Sequence, residues 1–196
     1  MDWLPLIIFS VAAFATTNLD DAFVLLLFFG DRRYRARYVF IGQALGVGLL
    51  VLLSLIGALA ALALPARAIG LLGLLPIAIG VKQLLERRRG QPDEPQAAAP
   101  PGAAGWRQAA AVAGITVANG GDNIGVYVPL FATRSLPETA LILGVFGVML
   151  VVWTFAGYYL ARHSAVAARL QRLSGVVMPW VLIGLGVVII VESNLP

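Results

Sequence analysis

Residues 4–29 read LPLIIFSVAAFATTNLDDAFVLLLFF, an apolar run interrupted near its middle by Thr16-Thr17-Asn18-Leu19-Asp20-Asp21. Such a run is long enough to cross about 30 Å of hydrocarbon as a helix. An Asp at the centre of a membrane helix costs about 2.5–3.5 kcal/mol on insertion scales. A span that carries two of them there has a reason to do so. A second run, residues 108–132, has the same character: its centre is Asn119-Gly120-Gly121-Asp122-Asn123. These two stretches decide the fold class, an all-α membrane protein, and locate its chemistry.

Composition supports the reading. The chain has 196 residues, 60% hydrophobic and 12% charged, with a mean hydropathy of +0.88. Soluble domains carry roughly 25% charge, so this chain lacks the charge to cover a globular surface. Apolar stretches bounded by charge or Pro/Gly give six spans, at about 4–29, 38–64, 67–85, 108–132, 137–161 and 174–192. The first is expected to stay in the mature protein, since no positive segment precedes it and it far exceeds the apolar core of a signal peptide. Twelve of the 14 Lys and Arg residues fall in the loops after spans one, three and five and their flanks; only Arg67 and Arg134 fall on the other side. The positive-inside rule makes the first set cytoplasmic and puts both termini outside. The net charge of +4 thereby has a topological origin, and no nucleic-acid partner is expected. Residues 162–173 have the pattern of a short interfacial helix.

No cysteine is present and His163 is the single histidine, which excludes disulfides, thiolate metal ligands and His clusters. The chain also lacks a G-x-x-x-x-G-K-[ST] loop, an H-E-x-x-H motif and a Ser–His pair within the spans, so ATP-driven transport and intramembrane enzymes are disfavoured.

A Pro/Ala/Gly-rich linker, 86–107, separates residues 1–85 from 108–196, with three spans on each side. At an offset of 102, Asp20-Asp21, Val24, Phe29 and Gly42 fall on Asp122-Asn123, Val126, Phe131 and Gly144; Pro76 and Pro179 match at an offset of 103; at 101, Asn18 and Asp21 fall on Asn119 and Asp122. Three is odd, so the second half enters the membrane from the opposite side. The expected architecture is six transmembrane helices arranged as two inverted three-helix repeats. Transporters built this way hold their substrate near the midplane, on interrupted helices.

Asp20, Asp21 and Asp122 are the acids deep within the spans, and no Lys, Arg or His lies at matching depth. Unpartnered, the three would oppose insertion by roughly 8–10 kcal/mol. An intramembrane ionisable group is by default a functional-site candidate, and a bound cation accounts best for three. The N-x-x-D spacing of Asn18/Asp21 and Asn119/Asp122 places amide and carboxylate on one helical face, with Asn123 and Thr17 a turn away. Gln43 and Tyr127 are further candidate oxygen donors. This all-oxygen set suits a hard divalent ion such as Mn²⁺, Mg²⁺ or Ca²⁺. A carboxylate with a pKa raised by burial and like-charge neighbours would release a proton as metal arrives, the basis of an antiport. Gly42, Gly46, Gly48, Gly144 and Gly147 read as close-packing positions, Pro76, Pro129 and Pro179 as kinks, and Trp3, Trp106 and Trp180 as interfacial anchors.

The segments Thr17-Asn18-Leu19-Asp20-Asp21 through Phe29, and Ala118-Asn119-Gly120-Gly121-Asp122-Asn123-Ile124-Gly125-Val126-Tyr127-Val128-Pro129-Leu130-Phe131, resemble the bacterial cadmium-resistance transporter family of the lysine-exporter superfamily. The likeness covers length, span number and both motifs. It implies an inner-membrane secondary exporter of divalent cations, Cd²⁺ in the usual assignment and Mn²⁺ or Zn²⁺ besides, with Asp20, Asp21, Asp122, Asn18, Asn119 and Asn123 as ion ligands. The metal would be cargo, and no cofactor is expected. The partners would be the cation and the lipid bilayer, with a homo-oligomer left open. An alternative within the superfamily is export of a cationic amino acid, whose ammonium group would use the same carboxylates.

Overall fold

Hydroxyl and amide groups bend the first helix where the sequence places them. In the computed structural model, which describes residues 3–31, 33–63, 71–88, 105–161 and 179–191, α1 (Trp3–Thr17) and α2 (Leu19–Gly30) meet at Asn18. The segments Trp3–Thr17 and Asp21–Gly30 are bent by 58°. Ser10, Thr16 and Thr17 each donate a hydroxyl hydrogen bond to the carbonyl four residues back, those of Leu6, Ala12 and Ala13. Back-bonding of this kind competes with the main-chain ladder and bends helices.

A short loop leads to α3 (Ala36–Ala61), and α4 (Leu74–Arg88) follows. The second half begins with α5 (Trp106–Asn119) and α6 (Gly121–Ala132), separated at Gly120, and continues with α7 (Leu136–Leu160) and α8 (Pro179–Val191). All eight described elements are helices. The start of α7 is set by Glu138, whose Oε2 accepts hydrogen bonds from the Ser135 backbone N–H (2.9 Å) and hydroxyl (2.7 Å), one half of a capping box. The interfacial helix expected at 162–173 and most of the linker lie outside the described residues, as does the side chain of Asp20.

By length and composition, α3 and α7 are each able to cross a membrane, and α1 with α2 makes a third crossing if the bent pair is one span. As described, α4 and α8 hold 15 and 13 residues, about 20 Å of helix, which is less than the spans expected at 67–85 and 174–192. Solvation is inverted relative to a soluble protein. Leu45, Leu52, Leu53, Ile56 and Leu59 on α3 and Val148, Val151, Val152 and Phe155 on α7 face outward, while Thr17, Asn18, Asp21, Gln43, Thr116 and Asn123 are buried. Outward apolar faces on helices of this length belong in lipid.

Each long helix packs against the broken pair of the other half: α3 lies along α5 and α6, and α7 along α1 and α2. Glycine permits the first contact. A Cβ on Gly42 would sit 2.6 Å from the Ala109 carbonyl oxygen and from Val112 Cβ, and one on Gly46 2.6 Å from Thr116 Cβ, so α3 and α5 run parallel in close apposition through a G-x-x-x-G pair. Gln108 ties α5 to the first loop, accepting from the Arg35 N–H (3.1 Å) and donating to the Arg33 carbonyl (2.8 Å). Among the described residues nothing lies within 4 Å of where a Cβ would stand on Gly48, Gly144 or Gly147, so the packing role expected of them is not seen there. Pro76 falls in the first turn of α4, where a missing N–H costs nothing, so it does not bend α4 itself. Pro129 does lie inside a helix, α6.

Candidate cation site

Both broken helices resume with acid. Asp20 and Asp21 are the second and third residues of α2, and Asp122 is the second of α6. The first turn of a helix presents unsatisfied N–H groups and the positive end of the macrodipole, which favours carboxylates there. At the second break the Gly120 N–H turns to the Val117 carbonyl three residues back (3.2 Å), and Asp122 Oδ1 accepts from the Asn123 N–H (2.9 Å). Leu50 of α3 packs against Gly120.

Asn18 stands at the first break with no exposed surface. Its Nδ2 donates to the Phe14 carbonyl and to the Tyr127 hydroxyl, both at 2.9 Å; Tyr127, on α6, is also 2.9 Å from Thr17 Oγ1. The first break is thereby joined to the second half of the chain. The Tyr127 ring packs against Phe146 (centroids 4.7 Å), which in turn stacks edge-on with Phe14 at 5.4 Å. One side of the site is a dry aromatic wall.

A second set of hydrogen bonds joins three elements. Gln43 on α3 donates through Nε2 to Asp21 Oδ2 (3.1 Å) and accepts through Oε1 from the Thr116 hydroxyl on α5 (2.8 Å). The basic residues Arg33, Lys82 and Arg134 are engaged elsewhere, by Asp31 (2.6 Å), Glu86 (3.6 Å) and Glu138 (3.9 Å).

Three amide atoms at the breaks are buried with no hydrogen-bond partner: Asn18 Oδ1, Asn123 Oδ1 and Asn119 Nδ2. Leaving such a group unsatisfied costs about 1–3 kcal/mol, and the usual resolution is an ion or water at the site. Among the described residues no three His, Cys, Asp or Glu side chains gather as a metal cluster.

The family model for cadmium resistance transporters matches residues 14–195. This chain belongs to the cadmium resistance transporter family. No curated protein and no solved structure matches it. In this family member, the motif residues that carry the resemblance fall at the two helix breaks, with Asn18, Asp21 and Asn123 buried and Asn119 and Asp122 half-buried. Thr17, Gln43 and Tyr127, expected as further oxygen donors, are all engaged in the hydrogen bonds described above.

Two residues of the site were missed in the sequence. Thr116 could have been found by spacing, since Thr116, Asn119 and Asn123 recur at helical intervals. Trp153 on α7 had no such signal. Its Nε1 donates 2.7 Å to the backbone carbonyl of Asn18, a contact that tertiary packing alone creates.

Proposed function

We propose that this protein is a secondary active transporter that exports divalent metal cations from the cytoplasm, holding the ion between the two helix breaks and exchanging it for protons. The observation that carries the proposal is the pair of buried, unpartnered amide oxygens, Asn18 Oδ1 and Asn123 Oδ1, each within a few residues of a buried or half-buried carboxylate at the start of a helix. Acceptors left bare beside acids are what a cation requires and what a neutral or anionic substrate would not. Asp20, Asp21, Asp122 and Asn119 complete the proposed ligand set.

The architecture proposed for this cycle is six spans in two inverted repeats, 1–85 and 108–196, joined by a cytoplasmic linker at 86–107, in the inner membrane with both termini outside. The order of elements supports it. Helices of 15, 12 and 26 residues with a break after the first are followed, in the second half, by helices of 14, 12 and 25 with a break at the corresponding place. The reciprocal packing of α3 and α7 on the opposite broken pair supports a pseudo-two-fold relation as well. Rocking of one half against the other would open the midplane site to alternate sides.

An all-oxygen site favours hard cations. Cells expressing the protein should therefore accumulate less Mn²⁺ and Cd²⁺ than cells expressing Asp21→Asn, with lysine content unchanged. Equal metal content in both, with lowered lysine in the first, would replace metal by a cationic amino acid as the cargo.

A further inference from the structure

Tyr127 is buried completely, and its hydroxyl is committed on two sides. Thr17 Oγ1 has the Ala13 carbonyl at 3.0 Å and spends its hydrogen there, so in the 2.9 Å contact between the two hydroxyls the phenol donates and Thr17 accepts. The phenol oxygen in turn accepts from Asn18 Nδ2. With its hydrogen and a lone pair both engaged, Tyr127 is poorly placed to ligate a cation itself.

The consequence falls on Asn18. Its amide nitrogen has two hydrogens: one goes to the Phe14 carbonyl and the other to the Tyr127 hydroxyl, both at 2.9 Å, with Thr17 Oγ1 a longer contact at 3.2 Å. A carbonyl oxygen can face only the nitrogen end of an amide, so the orientation is fixed, and Oδ1 is turned away from both partners. That oxygen is the buried one with no partner.

We infer that Tyr127 is a positioning residue: it holds the Asn18 amide with Oδ1 directed at the cation, and so makes the first break an oxygen donor. The inference rests on the divalent-cation reading and assigns roles within that site. The second half offers a built-in comparison. At the repeat offset of 102 the counterpart of Tyr127 is Leu25, which has no hydroxyl; at Asn119, which pairs with Asn18 at the offset of 101, it is the nitrogen Nδ2 that lacks a partner, and the bare oxygen of the second break belongs to Asn123 instead. The Asn18 and Asn119 amides are therefore held differently, and at Asn18 the orientation comes from the Phe14 carbonyl and the Tyr127 hydroxyl.

Trp153, bonded to the Asn18 carbonyl, gives a binding readout independent of transport. Trp3, Trp106 and Trp180 are exposed, so the full chain carrying Trp3→Phe, Trp106→Phe and Trp180→Phe reports through Trp153 alone. In that background, Mn²⁺ titrated into detergent-solubilised protein should quench the fluorescence saturably. Tyr127→Phe should weaken the apparent affinity about two- to tenfold, the equivalent of one net hydrogen bond. Thr17→Val, which removes the acceptor of the phenol together with a 3.2 Å contact of the Asn18 amide, should weaken it at least as much with Tyr127 intact, and Thr17→Ser should restore affinity relative to Thr17→Val. Unchanged affinity in both Tyr127→Phe and Thr17→Val would overturn the positioning role while leaving cation binding intact. Absence of saturable quenching by Mn²⁺ or Cd²⁺ in the parent protein would overturn the cation reading, and the inference with it.

Discussion

The indole Nε1 of Trp153 lies 2.7 Å from the backbone carbonyl oxygen of Asn18. The same oxygen also accepts from the Ala22 N–H at 3.2 Å, so α7 and α2 share one acceptor at the bend of the first broken helix. The Trp153 ring meets Phe14 edge-on (6.5 Å), on the residue whose carbonyl orients the Asn18 amide. The counterpart contact in the second half is purely apolar: Leu50 of α3 covers Gly120. A polar pin holds one break, and a hydrocarbon side chain covers the other.

Trp153→Phe keeps the aromatic packing and deletes the pin. Because Ala22 still satisfies the carbonyl, the expected loss is that of one net hydrogen bond, about 1 kcal/mol. It should appear as a lower thermal midpoint in detergent, and an unchanged midpoint would show that the bend is held by packing alone.

The α3–α5 contact allows a paired test. Gly42→Ala places a methyl against the Ala109 backbone oxygen and Val112 Cβ at 2.6 Å, so the helices must separate; overpacking of this kind costs about 1–3 kcal/mol. Gly48→Ala, six positions along the same helix and open to the surroundings, should stabilise by about 0.5–1 kcal/mol through better helix propensity. Thermal midpoints moving in opposite directions are the expected result.

Gln43 reads out the chemistry of Asp21. Gln43→Leu strips a buried partner from both Asp21 and Thr116, at about 1–3 kcal/mol for each group left unsatisfied, and should abolish transport. Gln43→Glu is more informative. Protonated, the new carboxyl can donate to Asp21 in place of the amide; ionised, it repels it. Cation binding by Gln43→Glu should accordingly differ from wild type in its pH dependence, the two converging where the introduced carboxyl is protonated and diverging where it is ionised, whereas a pH-independent difference would mean that Gln43 acts only as packing.

Much of this was legible in the sequence because apolar length and its interruption are local signals. The bounds of α3 and α7 follow from uninterrupted hydrophobic runs, and the breaks fall at Asn18 and Gly120 because a back-bonding Thr pair and a Gly pair weaken a helix wherever they stand. The first-turn placement of Asp21 and Asp122 follows from those breaks. What was hidden depends on partners distant in sequence. Trp153 in an apolar run reads as filling, and only the approach of α7 to the bend makes it a hydrogen-bond donor to a main-chain oxygen. Tyr127 and Gln43 were visible as polar residues in spans, but their roles turn on which atoms of Thr17, Asn18, Asp21 and Thr116 they meet, 22 to 110 positions away.

The central claim is proton-coupled cation movement through the site at the two breaks. The most direct test is flux by purified protein in proteoliposomes under an imposed pH gradient, with Mn²⁺, Cd²⁺, Zn²⁺ and Ca²⁺ offered separately to wild type and to Asp21→Asn. The account predicts saturable uptake of a subset of these ions against their gradient, collapsing when the pH gradient is dissipated and lost in Asp21→Asn. Folded wild-type protein that moves none of the ions, or moves them equally well without Asp21, would contradict it.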